Sequence, residues 1–149
     1  MKLSKYFTLE EMTVSDYAVR NGIDNTPPEE CLENLKDLCV MVLDPLREKL
    51  GKPIHINSGY RNPEVNKAIG GAENSQHKDG QAADIVVDGM TADEVFKVAC
   101  ELMLFDQLIQ EFDRWVHISY RPNVRRQKLW AVKEDGKTVY KKTDPKGNM

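Results

Sequence analysis

Several resources that would assign a chain quickly to a common class are scarce here. Cysteine occurs three times, at Cys31, Cys39 and Cys100, and no two form a C-x-x-C pair. An odd count in a chain without a secretory signal argues against a disulfide framework, and thiols on helix faces behave as small hydrophobes. No apolar run approaches the ~18 residues that a membrane-spanning helix needs, so no membrane insertion is expected. A surplus of one charge is also missing. The 21 Lys and Arg stand against 24 Asp and Glu, a net charge of −3, which gives no reason to expect nucleic-acid binding. Arg125-Arg126 with Lys128, and Lys141-Lys142, read as solvated surface. The opening residues Met1 to Phe7 run into acidic positions instead of an apolar core, so no secretory signal is read and synthesis in the cytoplasm is expected. Histidine occurs only at His55, His77 and His117.

What is present is a chain of 149 residues, 40% hydrophobic and 30% charged, the balance of a single globular domain. We read the domain as residues 1–142 and the Pro-, Gly- and polar-rich stretch 143–149 as a frayed tail, with a monomer as the default. Thr8-Leu9-Glu10-Glu11 has the capping-box form and predicts a short helix fading near Asn21-Gly22. From Glu29, apolar residues at spacings of three and four (Leu32, Leu35, Cys39, Val42, Leu46) predict the longest helix, stopped by Gly51 and bent at Pro45. Pro53–Asn57 alternates as a strand, and Asn62-Pro63 opens a short helix. Thr91-Ala92-Asp93-Glu94 starts another helix, to about Leu104. Strands are expected at 82–87, 107–112, 115–120, 128–133 and 138–141. Hairpins and helices come in segregated runs, so the fold class is α+β with a mostly antiparallel sheet flanked by helices.

The stretch from Ser75 to Asp84 is where chemistry concentrates. Asp84 lies in the apolar strand that begins at Ala82, and the small Ala82 on its face leaves space for a metal ion. His77 is seven positions upstream, and a loop folding back through Gly80 would bring it to Asp84. A further ligand must come from elsewhere, and Trp115-Val116-His117 is the obvious donor. Two imidazoles and a carboxylate with an open fourth position make the ligand set of a catalytic zinc site. His55, between Ile54 and Ile56, reads as an ordinary strand histidine.

The spacing S-x-H-x-x-G-x-A-x-D, held by Ser75, His77, Gly80, Ala82 and Asp84, resembles the signature of the M15 zinc peptidases, D-alanyl-D-alanine carboxypeptidases and cell-wall endopeptidases. Trp115-Val116-His117 is similar to that family's last zinc ligand with its preceding aromatic, and Ser58-Gly59-Tyr60-Arg61 to its S-G-Y/F-R element. The likeness runs from Phe7 to about Tyr120, and small phage or prophage members look most similar. It implies a fold like that of the D-Ala-D-Ala peptidases and the hedgehog signalling domain, with Zn2+ held by His77, Asp84 and His117. It also implies that Arg61 holds a substrate carbonyl or carboxylate, for which a guanidinium fork is suited. Ser75 would bond within its loop or to substrate, and Trp115 would line the groove or pack under His117.

Family members carry an acidic residue shortly before the last histidine, often three positions earlier, where this chain has Arg114. The general base is therefore Glu111 or Asp113. A loop of Asp113-Arg114-Trp115 pairs Glu111 with His117 on one face, whereas a loop of Asp113-Arg114 pairs His117 with Gln110 and turns Glu111 away. The E-F before the turn, similar to small phage-type members, favours Glu111. The implied activity is hydrolysis of a bond in peptidoglycan stem peptides or cross-links, as carboxypeptidase or endopeptidase. The implied place of action is the cell wall, reached through phage- or lysis-dependent, endolysin-like release. The alternatives are a silent wall-binding or phage structural module and a zinc-stabilised interaction domain.

Overall fold

The computed structural model describes residues 1–147; Asn148 and Met149 of the expected tail lie outside the described residues. The Thr8 capping box forms, its hydroxyl accepting from the Glu11 amide and the Glu11 carboxylate accepting from the Thr8 amide. The helix it opens is split in two, α1 (Leu9–Met12) and α2 (Asp16–Arg20). Ser15 explains the break, because its hydroxyl accepts from the Ala18 amide and starts a new helix in place of a continued turn.

The long helix runs from Glu29 to Leu50 as α3 (Glu29–Leu38), a π-helical segment (Cys39–Leu43) and α4 (Asp44–Leu50). The widened segment is where Pro45 makes its demand. A prolyl ring crowds the carbonyl four residues back and offers no N–H. The Asp44 amide instead donates to the Cys39 carbonyl five residues earlier, an insertion that relieves the ladder locally. Gly51 ends the helix in a left-handed conformation at φ 67°.

Six strands form one sheet: β1 (His55–Ser58), β2 (Ala82–Val86), β3 (Gln107–Glu111), β4 (Trp115–Ser119), β5 (Gln127–Glu134) and β6 (Lys137–Lys141). Their order is β1-β2-β4-β3-β5-β6, and every pairing is antiparallel except β3 with β5. The class is α+β. Between β1 and β2 comes α5 (Pro63–Ala68), capped by Asn62, and between β2 and β3 comes α6 (Ala92–Ala99), capped by the Thr91–Glu94 box.

Strand alternation divides the sheet into two unlike faces. Ile56, Ala83, Ile85, Leu108, Val116, Ile118 and Trp130 are buried against Leu35, Leu38, Val42 and Leu46 of the long helix and Val95 and Phe96 of α6. The rings of Phe96 and Trp130 meet at 4.9 Å. Following the cross-strand partners, the other face carries Asp84, His117, Ile109 and Glu111, then Leu129 and Ala131 of β5 and Tyr140 of β6. Its only compact apolar group among the described residues is Ile109, Leu129 and Ala131, with Phe112 against them. Within the expected tail, Asp144 is buried and Lys146 pairs with Asp93 at 2.6 Å and also with Asp113. The cysteines are unpaired, and Cys39 is in the core. Among the described residues no helix is long and apolar enough to cross a membrane.

The loop before β2 is braced by α3. Asn34 Nδ2 donates to the Asp79 carbonyl at 2.8 Å. Gly80 is left-handed at φ 75°, and a Cβ there would lie 2.5 Å from the Cys31 carbonyl oxygen. Gly136 has a similar φ of 77° with nothing within 4 Å of its would-be Cβ, so it reports backbone strain alone. Alanine at Gly136 is expected to cost about 1–2 kcal/mol, and at Gly80 clearly more, because the loop must also leave α3. Thermal melts of the two variants check this, and equal losses would show that the loop does not depend on that contact.

Candidate metal centre and active site

His77 is placed by a single 3-10 turn, Gln76–Asp79, whose second amide is held by Ser75: its hydroxyl accepts from the His77 N–H at 3.2 Å. The imidazole Nδ1 lies 2.7 Å from the Gly59 carbonyl oxygen, a contact that places the ring proton on Nδ1 and leaves Nε2 bare. Gly59 has no alternative residue at that spot, since a Cβ would lie 2.3 Å from the Met12 carbonyl oxygen. The Arg61 amide donates to the His77 carbonyl at 3.0 Å, closing the loop on the segment after β1.

Asp84 and His117 are direct cross-strand partners on β2 and β4. Asp84 Oδ1 faces His77 Nε2 at 3.3 Å and His117 Nδ1 at 3.1 Å. One donor atom from each of the three residues lies within 4.8 Å of the others. The second carboxylate oxygen, Oδ2, accepts from Arg61 Nη2 at 3.2 Å. Arg61 is fixed in turn by Ser58 Oγ at 3.0 Å and Asn66 Oδ1 at 3.2 Å. Asn66 is itself buried, with its amide donating to the Ala72 carbonyl.

Burial pushes the Asp84 carboxyl up, but the attraction of the two imidazoles in their protonated form outweighs it and holds the group below the usual carboxylate range. Burial drives His77 the other way, toward the neutral ring. A neutral His77 with its proton on Nδ1 sets a lone pair opposite a carboxylate oxygen, an arrangement that a cation between them resolves. The donor set of two imidazole nitrogens and a carboxylate oxygen therefore fits a divalent metal.

Glu111 stands beside this cluster, its Oε1 3.8 Å from His117 Nδ1. Burial first, and the Asp84 charge second, raise its pKa to about 7. Neither expected hairpin register is the observed one. The loop is Phe112-Asp113-Arg114, pairing Glu111 with Trp115 and Ile109 with His117. Phe112 and Asp113 are left-handed at φ 58° and 60°, and the Arg114 amide closes the turn on the Glu111 carbonyl. Gln110 fixes this choice: its Oε1 accepts from the Asp113 amide, and its Nε2 donates to Asp113 and to Asp93 of α6. Glu111 still shares the face of His117, because positions 109 and 111 are two apart. Gln110 belongs to the helix-covered face, and it draws Asp113 to that side of the sheet, where Asp113 also meets Lys146.

The three metal-ligand candidates, Arg61, Glu111, Ser75 and Trp115 all line one groove of about 580 Å³. Asp113 does not. Trp115 meets Phe112 edge to face at 5.8 Å, and its buried indole N–H is turned toward the Glu111 carboxyl, whose charged form it favours. Three groups escaped the sequence reading. Asn66 and Asp106 carry no motif, and Tyr140 sits on a hairpin with no sequence link to the ligands. Asp106 is fully enclosed and joins two walls: its carboxylate accepts from Gln76, next to His77, at 3.0 Å and from Arg125 at 2.7 and 3.0 Å.

Two imidazoles and an aspartate, with a glutamate beside them on an open groove, are the donor set and neighbouring carboxylate that a metallopeptidase uses. The chain matches the Peptidase M15 family over residues 5–119 and belongs to it. All the groups of the cluster fall inside that span, whereas β5 and β6 lie beyond it. Comparison with curated proteins gave no match.

Burial pushes the Asp106 carboxyl up, but the Arg125 hydrogen bonds outweigh it and bring it down to about 2. A group depressed on folding stabilises the fold above its unfolded pKa of about 3.9, and that contribution disappears as pH falls toward 2. Asp106→Asn is therefore expected to destabilise by about 1–3 kcal/mol at neutral pH and to narrow its gap from wild type between about pH 4 and 2. Urea melts across that range check it, and a gap independent of pH would show that the charge contributes nothing.

Proposed function

We propose that this M15-family protein is a zinc-dependent peptidase that cuts a peptide bond in bacterial peptidoglycan stem peptides or cross-links. One observation carries the reading: His77, Asp84 and His117 converge on one point of an open groove with Glu111 on the same face. His77 Nε2, an Asp84 oxygen and His117 Nδ1 would hold the ion, which when bound supplies Lewis-acid polarisation of the scissile carbonyl and a more acidic water.

The chain's own residues do the rest. Glu111 takes the proton of the attacking water and returns it to the leaving amine, within reach of both because it is beside the ligands and open to the groove. Arg61 has two roles. Three of its donors fix Asp84, Ser58 and Asn66, and the remaining N–H groups are available to the carbonyl oxygen as it gains charge. Trp115 and Phe112 give the groove an aromatic wall against which a peptide lies. Ser75 serves the loop by holding the His77 amide. The peptidoglycan assignment follows the family likeness of the Ser75–Asp84 motif, and action at the cell wall by a monomeric domain of residues 1–142 belongs to the same reading.

Metal analysis and muropeptide release from purified peptidoglycan test it together. Zinc at one equivalent with release is the expected result, and both are lost in His117→Ala. Zinc without release would point instead to a silent wall-binding module. Glu111→Gln is expected to keep zinc and lose about 10²–10⁴ in kcat, while Asp113→Asn stays near wild type. Full activity in the first and loss in the second would move the base to Asp113.

A further inference from the structure

The groove face does not end at the metal ligands. It continues onto β5 and β6, past the stretch that matches the family. Ala131 is the cross-strand partner of Glu111, and Tyr140 is the partner of Ala131. Two residues along, Lys133 pairs with Thr138 on the same face, and Lys133, Thr138 and Tyr140 all line the groove.

Lys133 differs from the groove's other outer cation. Arg125 is spent on Asp106. Lys133 Nζ donates to Thr138 Oγ1 at 2.9 Å and lies 5.4 Å over the Phe112 ring, and it has no carboxylate partner among the described residues. The two contacts hold an ammonium at the Glu111 end of the groove without neutralising it. Tyr140, 54% exposed, adds a phenol that is protonated at neutral pH like any unperturbed tyrosine and can donate a hydrogen bond into the groove. Ile109 and Leu129 continue the cross-strand row of Asp84 and His117, and Ala131 joins them to the row of Tyr140, so an apolar patch adjoins both the ligands and this polar rim.

An uncommitted ammonium, a neutral hydroxyl donor and an adjacent apolar floor are complementary to a carboxylate on a short aliphatic stem. We propose that the β5–β6 hairpin is a substrate subsite in which Lys133 and Tyr140 take a carboxylate of the bound peptide while its aliphatic part covers Ile109 and Leu129. This rests on the peptidase reading above and makes the C-terminal hairpin the element that selects acidic peptides.

The test compares a synthetic stem pentapeptide carrying free carboxylates with the same peptide amidated at its carboxylates. Lys133→Met is expected to raise KM for the acidic peptide about tenfold, the loss of one charge-assisted hydrogen bond, with kcat little changed. The amidated peptide should show no change, Lys133→Arg should recover most of the loss, and high salt should erase the difference. An equal KM for both peptides in wild type, or an equal change in both on substitution, overturns the subsite. Peptide affinity in a Glu111→Gln background separates the two readings. Discrimination there without turnover in wild type keeps the subsite and discards the peptidase, whereas turnover without discrimination does the reverse.

Discussion

The structure turns on how the Asp84 carboxylate is shared. Its Oδ2 is committed to Arg61 and its Oδ1 to the two imidazoles. A carboxylate taken out of water costs several kcal/mol unless its charge is met and its lone pairs are used. Here the guanidinium meets the charge, and the geometry of the sharing leaves one oxygen facing inward with two nitrogens. The surrounding residues make sense as supports of that division. Ser58 and Asn66 keep Arg61 from swinging away, and the Gly59 carbonyl keeps His77 from presenting its protonated nitrogen. Removing one support loosens a buried charge, so the cluster is over-determined in the way a preorganised site requires.

The sheet makes this arrangement possible by having unlike faces. Asp84 and Ile85 are neighbours in sequence and opposites in environment, one in the groove and one in the helix-covered core. A slip of one residue in β2 would drive the carboxylate among Ile56, Val116 and Ile118 and expose an isoleucine. The core and the site thus enforce the same register, and neither can be changed alone. The same logic fixes β3, where Leu108 and Gln110 face α6 while Ile109 and Glu111 face the groove. Gln110, the polar exception on the covered side, is satisfied by Asp93 and Asp113 and so carries the turn that sets Glu111.

What could be read from the sequence is what local rules decide. The capping boxes at Thr8 and Thr91, the glycine stop at Gly51 and the alternating strands were legible, because each depends on residues within a turn or two of one another. The convergence of His77, Asp84 and His117 was legible through spacing and family likeness. The rest depends on partners far away in the chain. Ser15 restarting a helix and the π segment before Pro45 are competitions between two local options that packing settles. The Phe112–Arg114 loop was mis-set by one residue because Gln110, a core-side residue, selects it by bonding Asp113. The parallel pairing of β3 with β5 has no signature in either strand, and with it went the recognition that Lys133 and Tyr140 share a face with Glu111. Asp106 carries no motif, and its part is set by Arg125 and Gln76, which are distant in the chain and close on it in the fold.

The functional groups are distributed according to how firmly each strand is held. β2 and β4 lie inside the sheet with a neighbour on each side, and they carry Asp84 and His117. β6 is an edge with one neighbour, flanked by Lys137 and Lys141, charges that discourage further strand pairing. Free energies of local opening fall toward such edges. The chemistry of a shared carboxylate tolerates little displacement, and it is built where the backbone opens least. A subsite that selects among peptides needs only a charge and a hydroxyl at approximate positions, and an exposed hairpin can supply both. Substitutions at Lys133 of β5 or Tyr140 of β6 would then change which peptide is accepted while leaving the cluster at Asp84 undisturbed, because among the described residues no hydrogen bond of that cluster runs through β5 or β6.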